Sequence, residues 1–148
     1  MKKITIENYT VDKYYPKIVK AVDTELKSQN FVAPIRVFVS MGLLEAQDID
    51  NWRKGRVPYL EKVVKCNLAK AGRILRILRF HAHDLNLKPS VSVYRRKTAG
   101  GKVPLRFSKY GDKNIEEAYS RHFVKLGKSS DNALNTEHEV AAGVKAEL

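Results

Sequence analysis

The stretch from Pro58 to Leu85, PYLEKVVKCNLAKAGRILRILRFHAHDL, decides the fold that the sequence predicts. On a helix, which advances about 100° per residue, its apolar side chains gather on one side and its basic side chains on the other. We therefore predict one long central helix that packs on a core along an apolar stripe and presents a row of cations to solvent. The stripe consists of Leu60, Val63, Val64, Ala71, Ile74, Leu75, Leu78, Ala82 and Leu85, and the basic row of Lys62, Lys65, Lys70, Arg73, Arg76 and Arg79.

Two residues of this predicted helix, Gly72 and Cys66, belong to neither the apolar stripe nor the basic row. Gly72 lies in its middle, where glycine costs about 1 kcal/mol relative to alanine, so it indicates either a close packing contact or a slight bend. Cys66 falls near the border between the apolar and basic sides. A cation such as Lys65 beside a thiol lowers its pKa, but a lone half-buried cysteine is more often a packing residue, and we expect that role.

Three shorter helices precede the long one. The first begins near Pro16, because proline is tolerated in the first turn of a helix. The second begins at Pro34 and ends at Gly42, which is well placed as a C-terminal cap. The third runs from about Glu45 to Trp52 and stops before Gly55.

The second and third predicted helices meet around a glycine, as the helices of a helix-turn-helix do. The third helix, however, carries Glu45, Asp48 and Asp50, whose carboxylates repel phosphate. We therefore predict that these helices form a packing platform for the long helix. The basic turn that follows, residues 53–56, is better charged to meet a nucleic-acid backbone.

After Pro89 the hydrophobic period changes from helical to two, which indicates β-strands. Residues 91–96 and 104–108 predict the two strands of a hairpin, because residues 98–101, TAGG, are a turn signal. One face of this hairpin is expected to pack on the long helix and the other to face outward. The inward set is Val91, Val93, Leu105 and Phe107, and the outward set is Tyr94, Arg96 and Arg106.

A last helix is predicted from a cap at Asp112 or Asn114 to about Lys125. Taken together, the elements predict a single α+β domain that is mainly helical, with four to five helices, one of them long and central, and a basic two-stranded hairpin towards its C-terminal part. We place this domain at residues 1–125, with its compact part from about residue 4. Residues 126–148 are predicted to be a flexible acidic tail.

Length and composition agree with one soluble domain. The chain has 148 residues and 43% hydrophobic residues, which is enough for one core and too short for two ordinary domains. No apolar run of about 18 residues predicts a membrane span, and no apolar block follows the first lysines as in a secretory signal. Cys66 is the single cysteine, so an intramolecular disulfide is excluded. The expectation is a cytoplasmic protein.

Charge is distributed unevenly along the chain. Residues 1–52 hold seven basic and seven acidic residues, whereas residues 53–125 hold nineteen basic and five acidic ones. The remaining residues hold two basic and four acidic ones, which gives the chain its net charge of +12. Such asymmetry indicates a polyanionic partner.

The function that this charge favours is nucleic-acid binding without catalysis. Lysine and arginine side chains bind phosphate by releasing condensed counterions, mostly without sequence specificity. Two aromatic side chains among the cations are offered as stacking groups for bases. The predicted contact residues are Lys62, Lys65, Arg73, Arg76, Arg79, Phe80, Tyr94, Arg95, Arg96, Lys97, Lys102, Arg106 and Lys109.

Three alternatives remain open at this stage. The basic surface is also suited to an acidic protein partner, as in a small regulatory module, and the long helix to pairing with its copy in a homodimer. Glu116, Tyr119 and His122 recur every three residues and would line one helix face, where an enzyme acting on an anionic substrate would find a general base. We expect no cofactor and no metal, because His81 and His83 project about 200° apart on a helix.

Overall fold

The computed structural model describes residues 3–126, so the predicted acidic tail lies outside the described residues from residue 127 onward. Five helices and two small antiparallel sheets confirm the α+β prediction for this part of the chain. The helices are α1 (Tyr15–Ser28), α2 (Pro34–Ser40), α3 (Ala46–Arg53), α4 (Leu68–Asp84) and α5 (Lys113–Ser120), and single 3-10 turns span Tyr9–Val11 and Leu60–Lys62. The strands are β1 (Phe31–Val32), β2 (Lys88–Val91), β3 (Arg95–Thr98), β4 (Gly101–Pro104) and β5 (Arg121–Val124).

The helix ends follow the sequence signals closely in the N-terminal half. Pro16 lies in the first turn of α1, and Pro34 is the first residue of α2. Gly42 and Gly55 adopt φ values of 76° and 80° just beyond α2 and α3. This left-handed conformation favours glycine and stops a helix, so the predicted ends of both helices are confirmed.

The long helix is shorter than predicted. α4 begins at Leu68, where the Asn67 side chain accepts a hydrogen bond from the Lys70 backbone N–H and caps the helix. Upstream, the backbone N–H groups of Leu60 and Glu61 donate to the carbonyl groups of Arg106 and Phe107. Because these donors pair with a distant segment, residues 58–67 do not continue the helix, and the prediction of one helix from residue 58 is wrong.

The C-terminal part of the predicted last helix is a strand. Asp112 caps α5 as predicted, with its carboxylate accepting from the backbone N–H groups of Asn114 and Ile115. The helix ends at Ser120, and β5 then pairs antiparallel with both β1 and β2 in the order β1-β5-β2. β2 therefore belongs to this sheet, and the hairpin consists of β3 and β4 alone.

The inward and outward faces of residues 91–94 are the reverse of those predicted. Val91 and Val93 are 47% and 42% exposed, whereas Tyr94 is 5% exposed. Ser92 is also buried. Because side chains alternate along an extended chain, burying Tyr94 sends both valines outward. The outward orientation of Tyr94 is therefore wrong, while the predicted burial of Phe107 is confirmed.

The core has an aliphatic part and an aromatic part. The aliphatic part lies between α1, α2 and α4, with Ile18, Val22 and Ile74 fully buried. The aromatic part, here called the aromatic cluster, joins α2, α3 and α5 to the segments that flank the hairpin. It consists of Phe38, Trp52, Tyr94, Phe107 and Tyr119, whose successive ring centroids lie 5.1 to 5.8 Å apart.

No helix within residues 3–126 is long and apolar enough to cross a membrane.

Candidate nucleic-acid interface

The hairpin places three cations on one face. β3 and β4 pair antiparallel with Arg95 opposite Pro104 and Lys97 opposite Lys102. Residues directly opposite each other share a face, as do residues two apart on one strand. Arg95, Lys97 and Lys102 therefore project from the same side, and all three are exposed. We call this surface the ribbon face.

The ribbon face carries an uncompensated charge. Lys97 and Lys102 occupy directly opposed positions, where like charges destabilise a sheet by up to ~1 kcal/mol. None of the ion pairs between described residues involves the ribbon face. The positive charge is therefore free to attract an external anion.

A rigid base holds the hairpin. The Leu105 backbone N–H donates to the Tyr94 carbonyl at 2.7 Å, which closes the ladder where the strands enter the body. Tyr94 and Phe107 are anchored in the aromatic cluster, and the Trp52 indole N–H donates to the Arg106 carbonyl at 2.7 Å. Buried aromatic rings thus hold in place the two chain segments that enter and leave the hairpin.

Arg96 connects the hairpin to the basic turn after α3. A Cβ at Gly55 would lie 2.7 Å from Arg96 Nε, so the guanidinium rests directly on that glycine. The turn also carries Lys54, which pairs with Asp50 at 3.0 Å, and Arg56, whose side chain donates to Asn51 at 3.3 Å. The contact brings residues 53–56 next to the hairpin and enlarges the basic area around it.

Several predicted contact residues are engaged within the protein. Arg73 forms an ion pair with Asp12 at 2.6 Å, and the Asp12 side chain is 3% exposed. Lys65 is outside α4 and pairs with Glu45. Both cations therefore already have carboxylate partners, although only the Arg73 pair is largely buried and the Lys65 pair is exposed. Lys62 is exposed but lies in the 3-10 turn, apart from the helix.

Arg76 and Arg79 lie on the exposed side of α4, as predicted. Arg79 lines two adjoining hollows of about 340 and 510 Å³, which also share Arg121 and Phe123 of β5, and Arg76 lines the smaller one, between α4, α5 and β5. We call the two hollows together the α4 groove. Arg121 also approaches Glu117 at 3.9 Å. Sequence analysis missed Arg121 because it was assigned to the last helix.

The α4 groove and the aromatic base of the hairpin lie on opposite faces of β5. Arg121 and Phe123 line the groove. His122, between them on the strand, must point to the other face, where its Nε2 lies 2.7 Å from the hydroxyl of Tyr94 at the base of the hairpin. The cations of residues 53–125 are therefore divided between at least two regions.

Of the two predicted stacking residues, Tyr94 offers no free ring, and Phe80 offers part of one where it lines the 510 Å³ hollow. Tyr94 is buried, and Phe80 is half-buried with its ring 5.7 Å from that of Tyr9. Tyr110, which the sequence analysis did not single out, is 86% exposed, with the Lys109 ammonium 5.3 Å from its ring centroid. Its position in a turn between lysine and glycine was the only signal for it.

Arg106 and Lys109 both remain exposed in the segment that follows β4. The Arg106 Nε–H donates to the Ser108 carbonyl at 3.1 Å, which orients its guanidinium near the start of the turn. Among the described residues, Lys109 is held only by the contact with Tyr110 described above. Both side chains extend the basic surface from the base of the hairpin.

The alternative site on the last helix is not assembled. The Glu116 carboxylate accepts hydrogen bonds from the backbone N–H groups of Phe107 and Ser108 and from the Ser108 hydroxyl, so it organises the loop before α5. Tyr119 is buried and donates to Glu61 at 2.9 Å. His122 lies in β5 rather than on the helix. The prediction that the three side chains share one helix face is therefore wrong.

Burial shifts the pKa values of other titratable side chains. Burial raises the pKa of the Cys66 thiol despite nearby Lys70, contrary to the lowering that an adjacent cation would produce. Burial also raises the pKa of Glu61. His81 is buried while His83 is exposed. In the part of the chain that the structure describes, no three potential metal ligands lie close enough together to hold an ion.

No protein-family model, curated protein or solved structure matches this chain significantly.

Proposed function

We propose that this protein is a small cytoplasmic, non-enzymatic nucleic-acid-binding protein whose hairpin contacts the phosphate backbone. The observation that carries the proposal is the ribbon face, on which Arg95, Lys97 and Lys102 are exposed and have no carboxylate partner among the described residues. An arrangement of like charges that weakens the hairpin itself is understandable if a polyanion neutralises it. The half-buried thiol of Cys66 suits a reducing compartment.

The dimensions of the ribbon support the same proposal. Two antiparallel strands of four residues form a narrow ribbon about 13 Å long, and the major groove of duplex DNA, about 12 Å wide, admits such a ribbon. The anchored base fixes the direction in which the ribbon projects. The basic turn at residues 53–56, joined to it by Arg96, supplies further cations for the flanking phosphates.

A binding titration tests this function. Fluorescence anisotropy would be measured with a 20-base-pair DNA duplex, the corresponding RNA duplex and a single strand, each at 50 and 200 mM salt. We expect binding at low salt that weakens at least tenfold at the higher concentration. The double variant Lys97→Gln/Lys102→Gln should bind at least tenfold more weakly than the unmodified protein.

The matched control is Lys17→Gln/Lys20→Gln, which removes the same charge from exposed positions of α1. This control should retain most of the affinity if the ribbon is the contact surface. Equal losses in the two double variants would show that only net charge matters. The absence of binding to all three probes at 50 mM salt would contradict the proposal.

A further inference from the structure

The α4 groove is a second candidate binding surface, on the face of β5 opposite the hairpin base. From Leu68 to His83 it follows α4 for about 22 Å, at a rise of 1.5 Å per residue. Its lining combines aliphatic side chains with the guanidinium groups of Arg76, Arg79 and Arg121. We propose that this groove binds an acidic amphipathic α-helix of a partner protein.

Gly72 is the observation that favours a helix as the occupant. It lines the groove, and a Cβ built on it would meet no described residue outside the backbone of its own helix within 4 Å. Glycine inside an exposed helix lowers stability relative to alanine, so a packing reason is expected. Among the described residues, the predicted close packing contact is not present at Gly72. A small residue allows the backbone of an incoming helix to approach closely.

The apolar floor selects what kind of side chain enters. Leu68, which is 64% exposed, and the side chains of Leu75, Ile115 and Phe123 form a largely aliphatic surface. Such a surface accepts leucine-like side chains at helical spacing, as in other helix-in-groove interfaces. Nucleic acid is less well matched because the groove also contains the carboxylates of Glu61 and Glu117, which repel phosphate.

The arginines at the edges of the groove favour a partner helix that carries acidic residues beside its apolar side chains. Arg76 and Arg79 follow one another on adjacent turns of α4, and Arg121 faces them from β5. Glutamates flanking the leucines of a bound helix would pair with these guanidinium groups. A second copy of α4 would instead bring its own Arg76 and Arg79 towards them, so like-charge repulsion disfavours a homodimer through this groove.

The test uses the full chain and a labelled 18-residue peptide with leucines at helix positions 4, 8, 11 and 15 and glutamates on both sides of that stripe. A peptide of identical composition but scrambled order is the control, because it keeps the charge and loses the stripe. Anisotropy titrations should show at least tenfold tighter binding of the striped peptide. The double variant Arg76→Glu/Arg79→Glu should lose this binding and keep its affinity for the DNA duplex.

Substitutions of Gly72 separate lost binding from lost folding. We expect Gly72→Ala to raise Tm by about 2–4 °C, because alanine stabilises a helix more than glycine does. The same substitution should weaken binding of the striped peptide at least threefold. Gly72→Leu, which fills the groove, should abolish peptide binding and leave the fold intact by circular dichroism.

Three results would overturn the inference. The first is that the striped peptide does not bind at concentrations up to 1 mM. The second is that the striped and scrambled peptides bind equally well. The third is that both Gly72 variants bind the striped peptide with the affinity of the unmodified protein. A dimer detected by sedimentation that Gly72→Leu dissociates would assign the groove to a second copy. Loss of duplex binding in the arginine variant would assign it to nucleic acid.

Discussion

His81 makes stability depend on pH in a direction that can be worked out. It is 8% exposed on α4, with its ring edge-on to Tyr15 at 5.7 Å. Burial lowers the pKa of His81 below its ordinary value of 6.5, and the nearby carboxylate of Asp84 opposes that effect only in part. The folded protein therefore holds this imidazole in its neutral form more strongly than the unfolded chain does.

We predict that stability falls as the pH drops below about 6.5. When a histidine has a lowered pKa in the folded state, its stabilising contribution is present above the unfolded pKa and is lost as the pH falls through the folded pKa. Thermal unfolding measured from pH 7.5 to 5.0 should show a decline in Tm that is smaller in His81→Gln. The exposed His83 gives the control, since His83→Gln should keep the decline of the unmodified protein. Parallel curves for all three proteins would contradict this assignment.

The faces of residues 91–94 show what hydrophobicity alone cannot predict. A strict apolar pattern places Val91 and Val93 inside, yet Tyr94 takes that place because its ring joins the aromatic cluster. Its hydroxyl and that of Ser92 both find partners on the His122 ring, at 2.7 and 3.2 Å. Burying a hydroxyl is tolerable only with such a partner, and His122 is too distant in sequence for local spacing to indicate it.

At the scale of elements, signals within a few residues of one another predicted well. Proline at the start of α2, glycine beyond α2 and α3 and the Gly100-Gly101 turn of the hairpin were all readable, because each acts on its own backbone. The start of α4 and the strand character of Arg121–Val124 were not. The strand depends on hydrogen bonds with distant segments, and the segment before α4 also pairs with residues 106 and 107; such long-range pairing overrides local propensity. The Asn67 cap that starts α4 was a local signal, and the sequence analysis missed it.

The opposed lysines of the hairpin lower its stability, and this effect can be measured. We predict that Lys102→Glu, which places a carboxylate opposite Lys97, stabilises the ladder by up to ~1 kcal/mol and so raises amide hydrogen-exchange protection of residues 95–104 up to about fivefold. The same change should weaken binding of the DNA duplex at least tenfold.

The control for this prediction is Lys102→Gln, which removes the repulsion without adding an attraction. Its amide protection should lie between those of the unmodified protein and Lys102→Glu, and its duplex affinity should also be intermediate. Unchanged protection in Lys102→Glu would show that the opposed lysines do not weaken the hairpin. Unchanged affinity would show that the ribbon face does not meet phosphate.

At the scale of the whole molecule, composition predicted how much positive charge there is but not where it lies. Residues 53–125 hold nineteen basic side chains, and a single continuous surface was the simplest expectation. In the fold, the ribbon face and the α4 groove are lined by different cations, and Arg73 and Lys65 pair with carboxylates of the same chain. The sequence gives the total charge of the chain. The way in which the charged side chains are distributed over the surface depends on long-range strand pairing, which the sequence does not show locally.

This division predicts how salt dependence changes with each set of substitutions. The logarithm of the duplex affinity should fall linearly with the logarithm of salt concentration, with a slope of about 0.9 for each phosphate contacted. Lys97→Gln/Lys102→Gln removes two such contacts and should reduce the slope by about 2. Arg76→Gln/Arg79→Gln removes the same charge from the α4 groove and should leave the slope within about 0.5 of the original, because these arginines are not part of the ribbon face. Equal reductions in both variants would mean that one nucleic acid contacts both regions at once and would contradict the assignment of duplex binding to the ribbon face alone.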